Sequence, residues 1–267
     1  MAYIRRSPIW PDPRVKPPFG AATIDWEHPL TRGLAACWLF NELGGSRIVD
    51  HVSGRATGTT VNNPNVTSGA KGIQRHLTAA SSQYASCGSS LPANTADGSI
   101  VVRSLLIDPT TAYHMAIGRA AGTGQDWEYQ VNPSAIIQLA YNGGSQVACV
   151  KTAVANTWVD VAFVISAAAT GQAFYNGKLD NTNGGPTAWR TGNGVIEIGR
   201  RASSSFYWNG DLGHIYLYTT RLFPADVLYV TQEPYAMFRP IIRRRYSIPA
   251  SASVSRLPSL ALLGVGS

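Results

Sequence analysis

Two acidic pairs in this chain have the spacing of a sugar-cleaving site: Asp25-Trp26-Glu27 and Asp126-Trp127-Glu128. Hydrolysis of a glycosidic bond needs two carboxyl groups flanking it, about 5 to 10 Å apart. Alternate residues of a strand point to one face, so an acid-x-acid strand brings two carboxylates together. The first pair lies in a proline-rich stretch. The second opens a strand-like run, where acids are expected to be solvated and not catalytic. Nucleophilic chemistry has less to draw on: His28, His51, His76, His114 and His214 adjoin no Gly-x-Ser-x-Gly turn, and Cys37, Cys87 and Cys149 have no local histidine partner. The cysteines are odd in number and far apart, as buried hydrophobes would be, with neither disulfide framework nor zinc knuckle. No cofactor and no metal is expected.

Aromatic side chains are the stronger candidates, because an exposed ring stacks on a sugar while Asn or Arg donates hydrogen bonds. Trp127 alternates with Tyr129 and is read as facing the open side of a sheet. Trp189 and Arg190, in the loop "NGGPTAWRTGN", and Tyr207, Trp208 and Asn209 fall in turns. These seven residues form the candidate glycan-binding set. Trp38 and Trp158 lie within apolar runs and are assigned to the core.

Charge is concentrated at the ends. The net +7 divides into +2 over residues 1–33, +5 over 234–267 and zero between them. A neutral body with basic ends argues against a broad nucleic-acid face. In the C-terminal stretch Arg239, Arg243, Arg244, Arg245 and Tyr246 are interleaved with isoleucines, the mixture of an interface peptide. Together with Arg5, Arg6 and Trp10 they are the candidate assembly contacts, pairing with acidic groups on a partner. The N-terminus shows no secretory signal, and the apolar patch of residues 257–265 is too short to span a bilayer. A product made in the cytoplasm, without membrane contact, is the expectation.

The elements that must position these residues read as all-β. Strand-like runs cover residues 33–42, 99–108, 112–120, 127–132, 135–142, 146–151, 157–166, 171–178, 194–200 and 210–219, separated by turns such as Asn142-Gly-Gly and Asn176-Gly177. Some runs alternate and others are wholly apolar, which predicts a jelly-roll sandwich of two antiparallel sheets. "FPADVLYVTQ" (223–232) predicts one short C-terminal helix, with proline and Asp in its first turn. Pro8, Pro11, Pro13, Pro17, Pro18 and Pro29 mark residues 1–32 as an extended N-terminal arm. Residues 33–233 form the domain and 234–267 an extended, basic C-terminal arm. At its start "PYAMFRP" is expected to stop the helix, pin Tyr235, Met237 and Phe238 back onto the sandwich and leave the exit extended.

"GLAACWLFNELGGSRIVDHVSGRATGTTVNN" (33–63), "NTWVDVAFVISAAATGQAFYNGKLDNT" (156–182) and "IEIGRRASSSFYWNGDLGHIYLYTTRLFPADVLYVTQEPY" (196–235) resemble the opening, central hairpin and closing pattern of the concanavalin A-like, LamG-like jelly rolls. Many relatives carry an acidic pair where this chain has Gly213-His214, so their calcium site is not carried over. The third acid of the related glucanase motif is also missing. A LamG-like unit running into a Pro-aromatic-x-x-Phe-Arg-Pro peptide resembles virion structural proteins of tailed bacteriophages. That resemblance implies a non-enzymatic component of the virion: a capsid decoration or cement protein, or a tail or fibre attachment. It would be a homo-oligomer within the particle, anchored by its arms to other virion proteins such as major capsid or tail proteins. The alternatives are a carbohydrate-binding adhesion module for host or mucosal surface glycans and, second, a glycoside hydrolase.

Overall fold

Turn residues and alternating apolar runs divide the chain into short strands. The computed structural model describes residues 10–88, 97–121, 124–141, 145–166, 170–184, 194–201 and 205–241. In chain order the strands are β1 (Ala22–Ile24), β2 (Leu34–Trp38), β3 (Arg47–Ile48), β4 (Gly58–Val61), β5 (Asn65–Gly69), β6 (Gly72–Leu77), β7 (Tyr84–Ser86), β8 (Gly98–Leu106), β9 (His114–Ala121), β10 (Gly124–Val131), β11 (Ile136–Tyr141), β12 (Ser145–Thr152), β13 (Thr157–Ser166), β14 (Thr170–Tyr175), β15 (Lys178–Gly184), β16 (Ile196–Ile198), β17 (Gly210–Tyr218) and β18 (Phe238–Pro240). One α-helix, α1, covers Pro224–Gln232.

Two large sheets stack. The front sheet runs β12-β11-β10-β9-β16-β7-β4-β3, and the back sheet runs β15-β14-β13-β8-β17-β6-β5, with β2 also pairing to β17. Neighbouring strands are antiparallel throughout. Asn176 and Gly177, at φ 50° and 79°, turn β14 into β15 through the left-handed backbone that such a hairpin requires. This is the all-β sandwich with one short C-terminal helix that the sequence predicts.

The two textures of strand follow from what covers each sheet. Between the sheets lies a core that includes Trp38, Tyr129, Val161, Phe163, Ile165, Trp208 and Ile215. The back sheet is covered on its outer face as well: Val101, Ala162, Val164, Phe174, Tyr216 and Tyr218 meet Leu222, Val227 and Val230 of the helical segment in a second core. A strand buried on both faces takes apolar residues at successive positions, which is why β13 runs unbroken from Val161 to Ile165, while its buried Asp160 is paired with Arg103. The front sheet has only one apolar face. On β10, Trp127, Tyr129 and Val131 enter the core while the residues between them are polar.

The second core also holds described residues from near both termini. Tyr235, Met237 and Phe238 are buried there, Tyr216 donates a 2.7 Å hydrogen bond to Pro234 O, and β18 pairs with β1. Each such buried side chain contributes on the order of 1.5 to 3 kcal/mol. "PYAMFRP" therefore pins the chain back onto the body. No helix among the described residues is long and apolar enough to cross a membrane.

Candidate functional site

The outer face of the front sheet carries the chemistry. Strand register places Ala140, Glu128, Gly118, Glu197, Ser86 and Thr59 in one row across β11, β10, β9, β16, β7 and β4. Glu128 and Glu197 thus flank Gly118, two strand spacings or roughly 10 Å apart along the row. With no side chain at Gly118, the floor between the two acids is backbone.

Each acid is held by an arginine from the segment that follows β16. Arg200 forks onto Glu197, with its Nε 2.8 Å from Oε2. Arg201 forks onto Glu128, with its Nε 2.9 Å from Oε2, and lies 3.3 Å from Gln130 Oε1. Bidentate forks of this kind are the strong, directional ion pairs. Burial pushes the Glu128 carboxyl up, and the hydrogen bond and charge of Arg201 oppose that rise. Glu197 raises Arg200 further above the ordinary guanidinium range, so this cation stays charged. The glutamate side chains are sealed at 2% and 8% exposure, whereas the arginine side chains keep 19% and 20%. Solvent meets the arginine edges of the row more than its glutamates.

Aromatic rings frame these edges. Arg200 lies 3.8 Å over the Tyr84 ring, and Tyr84 stands 6.3 Å from Tyr207. Arg201 lies 5.0 Å from the Phe206 ring and 5.9 Å from Tyr113, which themselves approach to 5.3 Å. Stacked guanidinium and ring faces of this kind form a polar, charge-balanced platform. Such a surface can donate hydrogen bonds to hydroxyl groups and offer rings for stacking. Acid–base catalysis would need a carboxyl group not already committed to an arginine.

Several sequence-predicted residues take other places. Trp127, Tyr129 and Trp208 are in the inter-sheet core at 2%, 0% and 1% exposure. The alternation on β10 was right, but its aromatic phase faces inward and its acidic phase outward. Asp126 and Glu128 are accordingly buried, not solvated, with Asp126 3.9 Å from Arg119. Trp38 is core, whereas Trp158 is only half-buried and lies under Arg103, 4.8 Å from its ring. Tyr207 does join the platform, and its carbonyl meets His114 Nδ1 at 3.1 Å. Asn209 serves the turn, accepting from the amides of Ala79 and Ile107. Trp189 and Arg190 lie outside the described residues, as do Arg5, Arg6, Arg243, Arg244, Arg245 and Tyr246. Trp10 packs on its own body, donating to Val15 O and Phe238 O, and Arg239 sits 3.8 Å from Asp25.

Sequence reasoning passed over Arg200, Arg201, Glu197, Tyr84, Tyr113 and Phe206. The available signal was "IEIGRR", an acid alternating with core isoleucines just before two arginines. All three cysteines are free and buried, and burial pushes the Cys149 thiol up to about 12. Among the described residues no three His, Cys, Asp or Glu side chains gather as metal ligands.

Two stacked antiparallel sheets with a polar outer face define a lectin-like β-sandwich. The chain belongs to the concanavalin A-like lectin/glucanases superfamily, whose Laminin_G_3 family model matches residues 80–228. Solved structures share the fold at low identity. Domain 4 of AbnA, a GH43 extracellular arabinanase from Geobacillus stearothermophilus solved with arabinotriose, aligns with a TM-score of 0.60 at 14% identity, over 79% of this chain and all of that domain. The binding domain of Paraclostridial Mosquitocidal Protein 1 aligns at 0.58 and 8% identity, over 76% of this chain and 52% of that one. Trypanosoma rangeli sialidase with the inhibitor DANA aligns at 0.56 and 12% identity, over 76% of this chain but only 33% of the sialidase. No curated protein matches the chain in sequence.

Proposed function

We propose that this chain is a non-catalytic, glycan-binding β-sandwich displayed as a structural component of a phage particle. The platform of Arg200, Arg201, Tyr84 and Tyr207 over the Glu197–Gly118–Glu128 row is the observation that carries the binding reading. Its ion pairs balance in charge, which suits hydroxyl-rich ligands, and both carboxylates of the row are already engaged, which favours binding over hydrolysis. The AbnA domain, solved with arabinotriose on the same fold, is in keeping with a sugar ligand. On a glycan array the full chain is expected to give a signal that Tyr207→Ala or Arg200→Met lowers roughly tenfold, the scale of one hydrogen bond to a charged group. A silent array, or variants indistinguishable from the parent, would remove the glycan reading.

The particle reading is supported by where the two extensions begin. Ala22–Ile24 pairs with Phe238–Pro240, and Trp10 donates to Phe238 O, so the described residues nearest the two termini come together beside one small sheet. Residues 1–9 and 242–267 carry six arginines and no acid. A capsid decoration or cement protein, or a tail or fibre attachment, would use such paired basic ends to grip acidic partners in the virion. Deleting residues 242–267 is expected to abolish incorporation into particles while leaving the glycan signal intact, measured by particle occupancy. Undiminished occupancy of the truncated protein would rule out the anchoring role.

A further inference from the structure

The segment Trp10–Lys16 crosses the outside of the second core, and its last residue turns inward. Lys16 is 5% exposed, and its Nζ donates to Gly213 O at 2.6 Å and to Ile73 O. Its backbone N–H donates to Lys71 O at 3.0 Å. Gly72 makes the approach possible: at φ +109°, a Cβ there would lie 3.0 Å from the Lys16 Cβ. The same segment clamps the C-terminal clip. Tyr235 N–H donates to Pro13 O at 2.9 Å and Trp10 N–H to Phe238 O at 3.0 Å. One side chain therefore anchors a strap that holds the Tyr235–Phe238 clip.

We propose that residues 10–16 are a pH-released strap, closed when the Lys16 amine is neutral and loosened when it takes a proton.

The surroundings explain why a charged amine is disfavoured there. Cys37 of β2, and Glu42, Asp50 and His51 in the segment after it, face the site from one side; Lys71 lies at the β5–β6 turn and Arg75 on β6. Arg103 comes from β8, Asp160 from β13, His214 from β17 and Tyr235 from the clip. Glu42 is engaged by Arg75 at 3.8 Å and Asp160 by Arg103 at 2.5 Å, while Asp50 accepts the amides of Cys37, Val52 and Ser53. His214 is fully buried, 3.3 Å from the Tyr235 hydroxyl, and held well below the ordinary imidazole range by burial and by Arg103, Lys16 and Lys71. Lys16 is 5% exposed and the two hydrogen-bond partners of its amine are backbone carbonyls, so a proton there would be an ammonium charge held in the interior on peptide oxygens. Burial, aided by Arg103, lowers the Lys16 amine from 10.5 to about 7 against the pull of Glu42.

The sign follows from linkage. A released strap regains the ordinary amine value, so between pH 10.5 and 7 the open state binds the extra proton. Closure is strongest at the alkaline end, weakens as pH falls toward 7 and is flat below, where both states are charged.

Amide hydrogen exchange of the full chain at pH 9 and pH 7, corrected for intrinsic rates, reads this directly. Protection of the Lys16 and Tyr235 amides is expected to fall roughly fifty-fold from pH 9 to pH 7, at close to tenfold per pH unit of the window. Amides of β8 and β13 should stay unchanged. In Lys16→Met the fall is expected to disappear; if that variant does not fold, Lys16→Arg, charged at both pH values, should show weak protection at both. Constant protection in the parent, an equal fall in β8 and β13, or a parent-like fall in either variant would overturn the strap. Its outcome does not depend on whether the extensions meet a partner.

Discussion

Trp208→Ala is expected to destabilise the sandwich by about 3 to 5 kcal/mol, the cost of deleting a large aromatic from a close-packed core. Trp208 is 1% exposed, its ring lies 6.1 Å from Tyr129, and Tyr129 in turn lies 5.8 Å from Phe163 on the opposite sheet. Its backbone N–H donates to Gly199 O at 2.8 Å, so the indole also fixes the exit of the segment that carries Arg200 and Arg201. Truncation should therefore lower denaturant midpoint first, and glycan binding only in step with the loss of folded protein. Trp208→Phe keeps most of the volume and removes an indole N–H that has no acceptor among the described residues, so its cost should be well under half as large. A Trp208→Ala protein of parental stability that has lost glycan binding would return this residue to the surface and contradict its place in the core.

The misplacement of Trp208 and Trp127 shows where the sequence was legible. Period-two alternation on β10 was plain, but alternation alone does not say which phase faces inward. Strands β8, β13 and β17 are legible within a few residues because both faces are buried and each holds a run of consecutive apolar residues, Ile100–Val102, Val161–Ile165 and Ile215–Tyr218. Strands β3 and β5 to β7 fall outside the strand-like runs, and β4 lies only within the stretch 33–63 that carries the family resemblance, since "GTTV", "NVTSG" and "YAS" are short, polar and broken by turns. Their conformation comes from neighbours: β4 and β7 pair with each other and with β3 and β16, and β6 with β17. The platform was hidden for a related reason. Glu128 and Arg201 are 73 residues apart, and only the closure of the front sheet brings β10 against the segment after β16.

Removing Arg201 should reveal how far the platform is also structural. Arg201→Met is expected to cost about 3 kcal/mol at neutral pH, because it strips the bidentate partner from a carboxylate that is 2% exposed. The lower end of the range applies, since the Arg201 side chain keeps 19% exposure and part of its pairing energy is screened. The loss should depend on pH. Burial already raises the Glu128 carboxyl, and the Arg201 substitution takes away the hydrogen bond and the charge that oppose this rise, so the folded variant holds more of a proton that the unfolded chain releases near 4.5. Stability of the variant should then fall relative to the parent as pH rises from 4.5 to neutrality, and the gap should narrow on acidification. Adding Glu128→Gln removes the charge that Arg201 had balanced, so the double variant is expected to recover most of the stability but none of the glycan signal. Denaturation of the parent, the two single variants and the double variant at pH 4.5 and 7 measures each term. A pH-independent loss in Arg201→Met, or no rescue by Glu128→Gln, would mean that packing against Phe206 and Tyr113, not the ion pair, is what Arg201 supplies.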